Sequence, residues 1–200
     1  MSMYLSRLTI NRSRIATMWL SNPYRVHQRI AVACEGDNRF LFRIESDVNP
    51  ITILVQSHVI PQWERSFDDL AVLSIPAEWK VYQPKLQIDY PYQFRLLANP
   101  TVKRDGKRLG ILEDDQQKSW LKRKLEDSGA QVLECHIKPQ GLQRSQRNSV
   151  KDPHSQTHLA VQFDGVLKTS SPRQFWDGMQ AGFGSAKGYG FGLLTLAQIR

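Results

Sequence analysis

Residues 39–56 read RFLFRIESDVNPITILVQ, and this stretch sets the pattern of the first half of the chain. Its two ends, residues 39–44 and 51–56, are rich in aromatic and β-branched side chains, which favour strands. The connection between them carries Asp, Asn and Pro, which favour turns. The sequence therefore predicts a pair of neighbouring strands joined by a turn.

The segments on either side complete a recognisable order of elements. We predict a strand at 4–10, a helix at 23–33, a weaker helix at 63–70 and a short strand near Val81. Ser21 or Asn22 can cap the first helix, and Pro23 suits its first position because the missing N–H has no helical partner there. The order β-α-β-β-α-β is that of a ferredoxin-like domain.

The second half of the chain repeats this order in part, after a proline-bounded linker at residues 84–91. We predict strands at 92–98, 131–137, 158–167 and 191–196, with helices at 116–127 and 172–180. Gly129 stands where the first of these helices should end. The fold class is therefore α+β, with tandem ferredoxin-like domains at 1–84 and 92–200. Residues 138–157 are predicted to form an irregular loop, which at that length is usually functional or disordered.

Composition excludes several classes of protein. Hydrophobic residues make up 40% and charged residues 23% of the 200 residues, an ordinary globular mixture that argues against a disordered chain. No apolar run approaches the roughly 18 residues that a membrane helix needs. The two cysteines, Cys34 and Cys135, form no C-x-x-C pair. We expect a soluble protein of the reducing cytoplasm.

Positive charge is concentrated in one part of the chain. The net charge is +8, and residues 95–151 hold 13 basic and 7 acidic side chains, an excess of six. Such an excess attracts a polyanion, and nucleic acid binding also gains free energy from counterion release. A membrane surface would require basic residues opposite a bulky apolar helical face, which this stretch lacks. A merely solvated basic surface is the other alternative.

His27 is the first candidate catalytic residue. It lies three positions after Tyr24 on the predicted helix, so the two rings share one face, and Arg25 and Arg29 flank them. A histidine can move a proton near neutral pH, and a phenol can hold or donate one. This set suits cleavage of a phosphodiester by an internal 2′-hydroxyl, which needs no metal. A purely structural histidine beside a tyrosine is the alternative.

A glycine-rich segment near the end of the chain is the second candidate. Six of the twelve glycines lie between Gly178 and Gly192, and Lys187 lies among them. Glycine lets backbone N–H groups approach a phosphate closely, and a lysine adds positive charge. The spacing matches neither a P-loop nor a dinucleotide-binding fingerprint. A flexible turn before the last strand is the alternative.

Other kinds of site are disfavoured. His154 and His158 have a spacing that a zinc site can use, but no second closely spaced pair accompanies them. No carboxylate cluster resembles a two-metal nuclease, and the G-x-S-x-G elbow of a serine hydrolase is absent from the sequence. We therefore expect no metal and no cofactor.

Five segments, in this order, resemble the CasE family of CRISPR RNA-processing endoribonucleases. They are residues 3–8 (MYLSRL), 22–27 (NPYRVH), 94–100 (FRLLANP), 120–125 (WLKRKL) and 182–194 (GFGSAKGYGFGLL). The resemblance covers nearly the whole chain, and residues 138–158 match least.

The resemblance implies cleavage of CRISPR precursor RNA at the base of the repeat stem-loop, leaving a 2′,3′-cyclic phosphate. It places the active-site histidine at His27, its tyrosine partner at Tyr24 and the lysine of the glycine loop at Lys187. It also implies that the product stays bound and that other Cascade subunits are partners. We expect RNA contacts from the following residues: Arg25, Lys103, Arg104, Lys107, Arg108, Lys122, Arg144, Arg147, Lys151, Gly184, Lys187 and Gly188.

The sequence departs from the family at two positions. Some members carry a lysine one turn beyond the histidine, where this chain offers only Arg29 as a candidate charge stabiliser. The usual proline of the glycine loop is replaced by Ser185, which is expected to loosen the loop. A non-catalytic subunit that holds an RNA hairpin is the alternative function.

Overall fold

The computed structural model describes residues 3–67, 72–147 and 154–199, and it divides into two compact units. The first unit comprises Met1–Gln83 together with Arg144–Gln156 and Gly188–Gly190. The second comprises Pro84–Gln143, Thr157–Lys187 and Phe191–Arg200. Neither unit is continuous in sequence, so domain limits at 84 and 92 stay a prediction.

The first unit has the ferredoxin-like order with one additional helix. Its elements are β1 (Tyr4–Thr9), α1 (Arg14–Leu20), α2 (Pro23–Ala33), β2 (Leu41–Glu45), β3 (Thr52–Ser57), α3 (Glu64–Phe67) and β4 (Glu78–Val81). The sheet order is β2-β3-β1-β4, and each of these neighbouring pairs is antiparallel. Leu8, Val26, Ile30 and Ile53 belong to its hydrophobic core, so α2 is held by its apolar side against one face of the sheet.

The second unit repeats the order around a second four-stranded sheet. Its elements are β5 (Pro91–Ala98), β6 (Thr101–Arg104), β7 (Lys107–Gly110), α4 (Asp114–Glu126), β8 (Ala130–Arg147), β9 (His154–Thr169), α5 (Pro172–Ala181) and β10 (Leu194–Gln198). The ends of β8 and β9 at 144–147 and 154–156 are counted with the first unit. The sheet order is β10-β5-β9-β8. Leu96, Leu121, Phe163 and Phe175 are completely buried in this unit. The predicted tandem ferredoxin-like fold is confirmed.

The structure differs from the sequence-based expectations in three places. The short helix α1 was missed; Ser13 caps it by accepting a hydrogen bond from the Ala16 N–H at 3.1 Å. The predicted loop at 138–157 is instead strand at 138–147 and at 154–157, while residues 148–153 lie outside the described residues. Residues 138–142 are exposed, so apolar alternation, the signal for a half-buried strand, is missing there.

The third difference concerns the basic residues after β5, which form a hairpin that was not predicted. Asp105 and Gly106 connect β6 to β7 with φ angles of 48° and 75°. Both central residues of a type I′ turn need positive φ, and Asp-Gly is a preferred sequence for it. The hairpin pairs Lys103 with Arg108 and Arg104 with Lys107.

Smaller differences concern the ends of elements. The last strand begins at Leu194 rather than at residue 191. The Asp114–Glu126 helix ends with Asp127 as its C-cap, two residues before Gly129, and Gly129 adopts φ 75° as its N–H donates to Glu126 O at 2.9 Å. None of the described helices is long and apolar enough to cross a membrane.

Candidate functional site

The start of α2 is fixed by its capping residue. The Asn22 side chain accepts a hydrogen bond from the Tyr24 N–H at 3.2 Å, and Pro23 occupies the first helical turn. Of the two predicted caps, Asn22 is therefore the correct one. Tyr24 and His27 follow on one face of the helix, and both side chains are half-buried.

The imidazole of His27 lies among aromatic rings. Its centroid is 4.8 Å from that of Phe40 and 6.3 Å from that of Phe42, and both phenylalanines are buried. Burial lowers the pKa of His27 below the ordinary value of 6.5, because a charged ring is poorly solvated in these surroundings. The neutral imidazole, which can accept a proton, is therefore favoured at neutral pH.

Residues 188–190 of the glycine segment belong to the same compact unit as this helix, and Gly188 and Tyr189 lie against it. A Cβ atom built on Gly188 would lie 3.4 Å from Cδ2 and 3.5 Å from Nε2 of His27. The ring centroid of Tyr189 is 6.5 Å from that of Tyr24, with an interplanar angle of 34°. Sequence reasoning assigned no role to Tyr189, Phe40 or Phe42, and nothing in their spacing pointed to His27.

The two arginines of α2 differ in their surroundings. Arg25 is exposed. Arg29 is half-buried, and its Nη1 donates to Ser66 O at 2.7 Å while Ser66 Oγ donates to Arg29 O at 2.8 Å. Residues two apart on a helix do not face each other, so Arg29 and His27 point to different sides of α2. The catalytic role of Arg29 stays a prediction, and the contacts it makes join α2 to α3.

The far end of β8 also belongs to the first unit. Asn22 Nδ2 donates to Gln146 O at 3.0 Å, so the same side chain caps α2 and holds this strand. Arg144 is exposed on the strand, and Arg147 is its last residue. Lys151 lies outside the described residues. A long polar strand has no sequence pattern that predicts such a contact. Gln146 was therefore not predicted as part of the site.

Within the second unit, the basic residues line a cleft of about 500 Å³. Its walls are the β6–β7 hairpin, α4 and the glycine segment. The cations that line it are Lys103, Arg108, Arg123, Lys124 and Lys187, and Asp127 is the acid among them. Arg104, Lys107 and Lys122 are exposed on the same elements but do not line the cleft. This unit therefore presents a concave surface of strongly positive potential.

The glycine segment is held in place by several contacts in this second unit. Lys187 Nζ donates to Ala181 O, the last residue of α5, at 2.6 Å. Burial, with a smaller contribution from Lys124, lowers the pKa of Lys187. Gly184 adopts φ 85°, and a Cβ there would lie 3.0 Å from the Trp120 ring, so any other residue would be strained at this position.

Ser185, at the position where the family usually has proline, holds the loop through hydrogen bonds. Its hydroxyl donates to Asn99 O at 3.4 Å and accepts from Asn99 Nδ2 at 3.4 Å. His158, which the sequence suggested only as half of a zinc pair, lies beside the same amide, with Nδ1 3.3 Å from Asn99 Nδ2. These contacts tie the loop to the end of β5, and the expected loosening stays a prediction.

Within the described ranges, no three His, Cys, Asp or Glu side chains converge in a way that could hold a metal ion. Cys34 is buried, and burial together with the nearby Asp37 raises its pKa to about 12. Its thiol therefore stays protonated and is a poor nucleophile at neutral pH.

Comparison with known proteins agrees with this arrangement. A family model described as CRISPR associated protein matches residues 3–198. The CRISPR-associated endoribonuclease Cse3 of Thermus thermophilus is 32% identical over 213 residues, covering 98% of this chain and 100% of that protein. The CRISPR system Cascade subunit CasE of Escherichia coli is 29% identical, with 98% and 100% coverage.

A solved structure has the same fold over the same length. The structure of CRISPR endoribonuclease Cse3 bound to 19 nt RNA superposes with a TM-score of 0.86 at 28% identity. The match covers 98% of this chain and 100% of that one. Since the family model and the relatives both span nearly the whole sequence, the chain belongs to the family of CRISPR-associated proteins, as a CasE member.

Proposed function

We propose that this protein is an endoribonuclease that processes CRISPR precursor RNA within the repeat and then retains the mature RNA as a Cascade subunit. The observation that carries the proposal is the half-buried His27–Tyr24 pair on α2, with Gly188 against the imidazole edge. Support also comes from the full-length similarity to an endoribonuclease and to a Cascade subunit.

The reaction is an internal transesterification at the base of the repeat stem-loop. The 2′-oxygen attacks the adjacent phosphorus, the bond to the 5′-oxygen breaks, and a 2′,3′-cyclic phosphate and a 5′-hydroxyl result. His27, which burial keeps neutral, accepts the proton that the 2′-hydroxyl loses, with Tyr24 as its partner. The departing 5′-oxygen takes up a proton, so no net proton is consumed.

Positive charge stabilises the crowded phosphate and holds the RNA. Arg25 and Arg29 on α2 and Lys187 before Gly188 are the charge stabilisers of this proposal. The hairpin stem binds through its phosphates to these basic residues: Lys103, Arg104, Lys107, Arg108, Lys122, Arg144, Arg147 and Lys151. Gly184 and Gly188 allow the backbone to approach the RNA. An A-form duplex is recognised mainly by shape and backbone, which suits a basic cleft.

The place of action follows from the proposed reaction. Precursor RNA and the other Cascade subunits have to meet the enzyme in one compartment, and we place that meeting in the cytoplasm. Fractionation of cells that express the tagged chain tests this directly.

A cleavage assay tests the catalytic proposal. Repeat RNA from the host's own CRISPR array is incubated in EDTA with wild type, His27→Ala and His136→Ala. His136 is an exposed histidine paired with Glu134, so its variant is a matched control. We expect cutting by wild type and His136→Ala only, and none when the nucleotide at the cut site lacks its 2′-hydroxyl.

Other outcomes identify the alternatives. RNA that is bound but never cut by wild type would show a non-catalytic hairpin-holding subunit. Cutting that stops in EDTA and returns with a divalent metal would show a metal-dependent nuclease. Cutting by His27→Ala at the wild-type rate would remove His27 from the mechanism.

A further inference from the structure

We infer that Tyr189 is a positioning residue for the catalytic pair, acting through the ring of Tyr24. This inference rests on the proposed function. It adds to that function a residue that lies far from His27 in sequence but shares its compact unit.

The ring contact itself is the first observation. A centroid distance of 6.5 Å and a tilt of 34° lie within the range where aromatic pairs attract each other. Tyr24 is the second residue of α2, and helical side chains lean toward the N-terminus. Its ring therefore projects past the start of the helix, where no earlier helical turn restricts it. The ring of Tyr189 therefore restricts the movement of the Tyr24 ring, which α2 itself cannot do.

The backbone on both sides of Tyr189 is fixed. Gly190 has φ 90°, and a Cβ on it would lie 3.1 Å from Cε2 of the fully buried Phe42. Gly188 lies against the edge of His27, as described above. Because glycines on both sides let the chain lie directly on two rings, the position of Tyr189 relative to α2 is closely defined.

These contacts make the orientation of the Tyr24 and His27 rings depend on the tripeptide at residues 188–190. Phe42 contacts the Gly190 backbone, and its ring is also 6.3 Å from His27. Loss of the Tyr189 ring would free Tyr24 to leave the geometry that the reaction needs. A displacement of about 1 Å can slow catalysis by about 100-fold. The effect belongs to the cleavage step, because Tyr189 adds no charge for the RNA phosphates.

The test compares Tyr189→Leu with Tyr189→Phe under single-turnover conditions on the host repeat RNA. We expect Leu to slow cleavage by roughly 10- to 100-fold and Phe to stay near the wild-type rate. The dissociation constant, measured with a 2′-deoxy substrate that cannot be cut, should change by less than about threefold for either variant. Tyr4→Leu is the matched control, since it removes a ring that packs on Trp79 elsewhere in the same unit.

A double-mutant cycle separates positioning from damage to the fold. If Tyr189 acts through Tyr24, Tyr189→Leu should cost little further rate in a Tyr24→Leu background. The inference is wrong if Tyr189→Leu slows cleavage as much in the Tyr24→Leu background as in the wild type. It is also wrong if Tyr189→Leu weakens RNA binding as much as it slows cleavage. A wild-type rate for Tyr189→Leu while His27→Ala is inactive would overturn it as well. If His27→Ala also cleaves normally, the proposed catalytic site has failed; if the wild type binds the RNA but never cuts it, the proposed function itself has failed.

Discussion

The α-carbon of Gly188 lies against the Cδ2–Nε2 edge of the His27 imidazole, so close that a Cβ would be 3.5 Å from Nε2. That nitrogen lies at the far end of the ring from the helix backbone. A methyl group at position 188 would cover the edge that a phosphodiester has to reach in the proposed reaction. The glycine therefore keeps the proposed catalytic nitrogen open.

Gly188→Ala should separate catalysis from stability. Gly188, unlike Gly190, does not have a left-handed φ, and the new methyl would make ordinary contacts, so the fold should tolerate it. We expect thermal stability to stay the same or to rise by up to about 1 kcal/mol, through loss of unfolded-state entropy. The single-turnover cleavage rate should fall by about tenfold or more, because the methyl group hinders proton transfer to Nε2. Cleavage at the wild-type rate would show that His27 uses another edge.

The pH dependence of cleavage should reflect the buried histidine. Because burial lowers the pKa of His27, the neutral base persists below the ordinary value of 6.5. We expect the acid limb of the kcat/KM profile, which reports the free enzyme, to have its midpoint below 6.5. A midpoint above 6.5 would contradict the assignment of His27 as the base in these surroundings.

The pH dependence of stability follows from the same shift and applies also to His158, whose pKa is lowered by burial as well. Between the lowered folded value and 6.5, the unfolded chain binds more protons than the folded one. Stability is therefore fully present above pH 6.5 and declines as pH falls toward the folded pKa. We expect urea midpoints to drop from pH 7 to pH 5, and to drop less for His27→Asn. An equal drop for His27→Asn would show that other groups cause it.

The β6–β7 hairpin places like charges opposite each other, which is unfavourable unless an anion joins them. Lys103 and Arg108 form one such pair and also line the basic cleft. We expect the double variant Lys103→Gln/Arg108→Gln to bind repeat RNA more weakly, with a salt slope lower by about one per lost phosphate contact. Lys80→Gln/Lys85→Gln removes the same charge from exposed positions outside this surface and should leave the slope unchanged.

Substitution of Arg29 distinguishes a structural role of this residue from a catalytic one. Its hydrogen bond to Ser66 O joins two helices, and such a bond from a charged donor contributes about 1.5 kcal/mol. Arg29→Gln should therefore lower the unfolding midpoint, whereas Arg14→Gln, exposed on α1, should not. If Arg29 only joins α2 to α3, cleavage at a temperature where the variant is folded should stay near wild type. A fall as deep as that of His27→Ala would establish it as a charge stabiliser.

Much of the fold was predictable because its signals are local. The alternation in β1, the Asn-Pro start of α2 and the paired strands β2 and β3 each depend on neighbours in sequence. The Asp105-Gly106 turn is an equally local signal, yet no hairpin was predicted there. Helix α1 was missed because seven residues give too short a pattern, with Ile15 and Met18 exposed beside the buried Trp19.

The sequence by itself determined that Tyr24 and His27 share one helical face, since a spacing of three residues fixes that wherever the helix lies. It also determined the excess of positive charge in residues 95–151, which no folding can change. Only the tertiary structure decided that Gly188 and Tyr189 would lie on that helix, and that Asn22 would hold the end of β8. Such contacts depend on the path of the whole chain between the partners, and no local periodicity records that path.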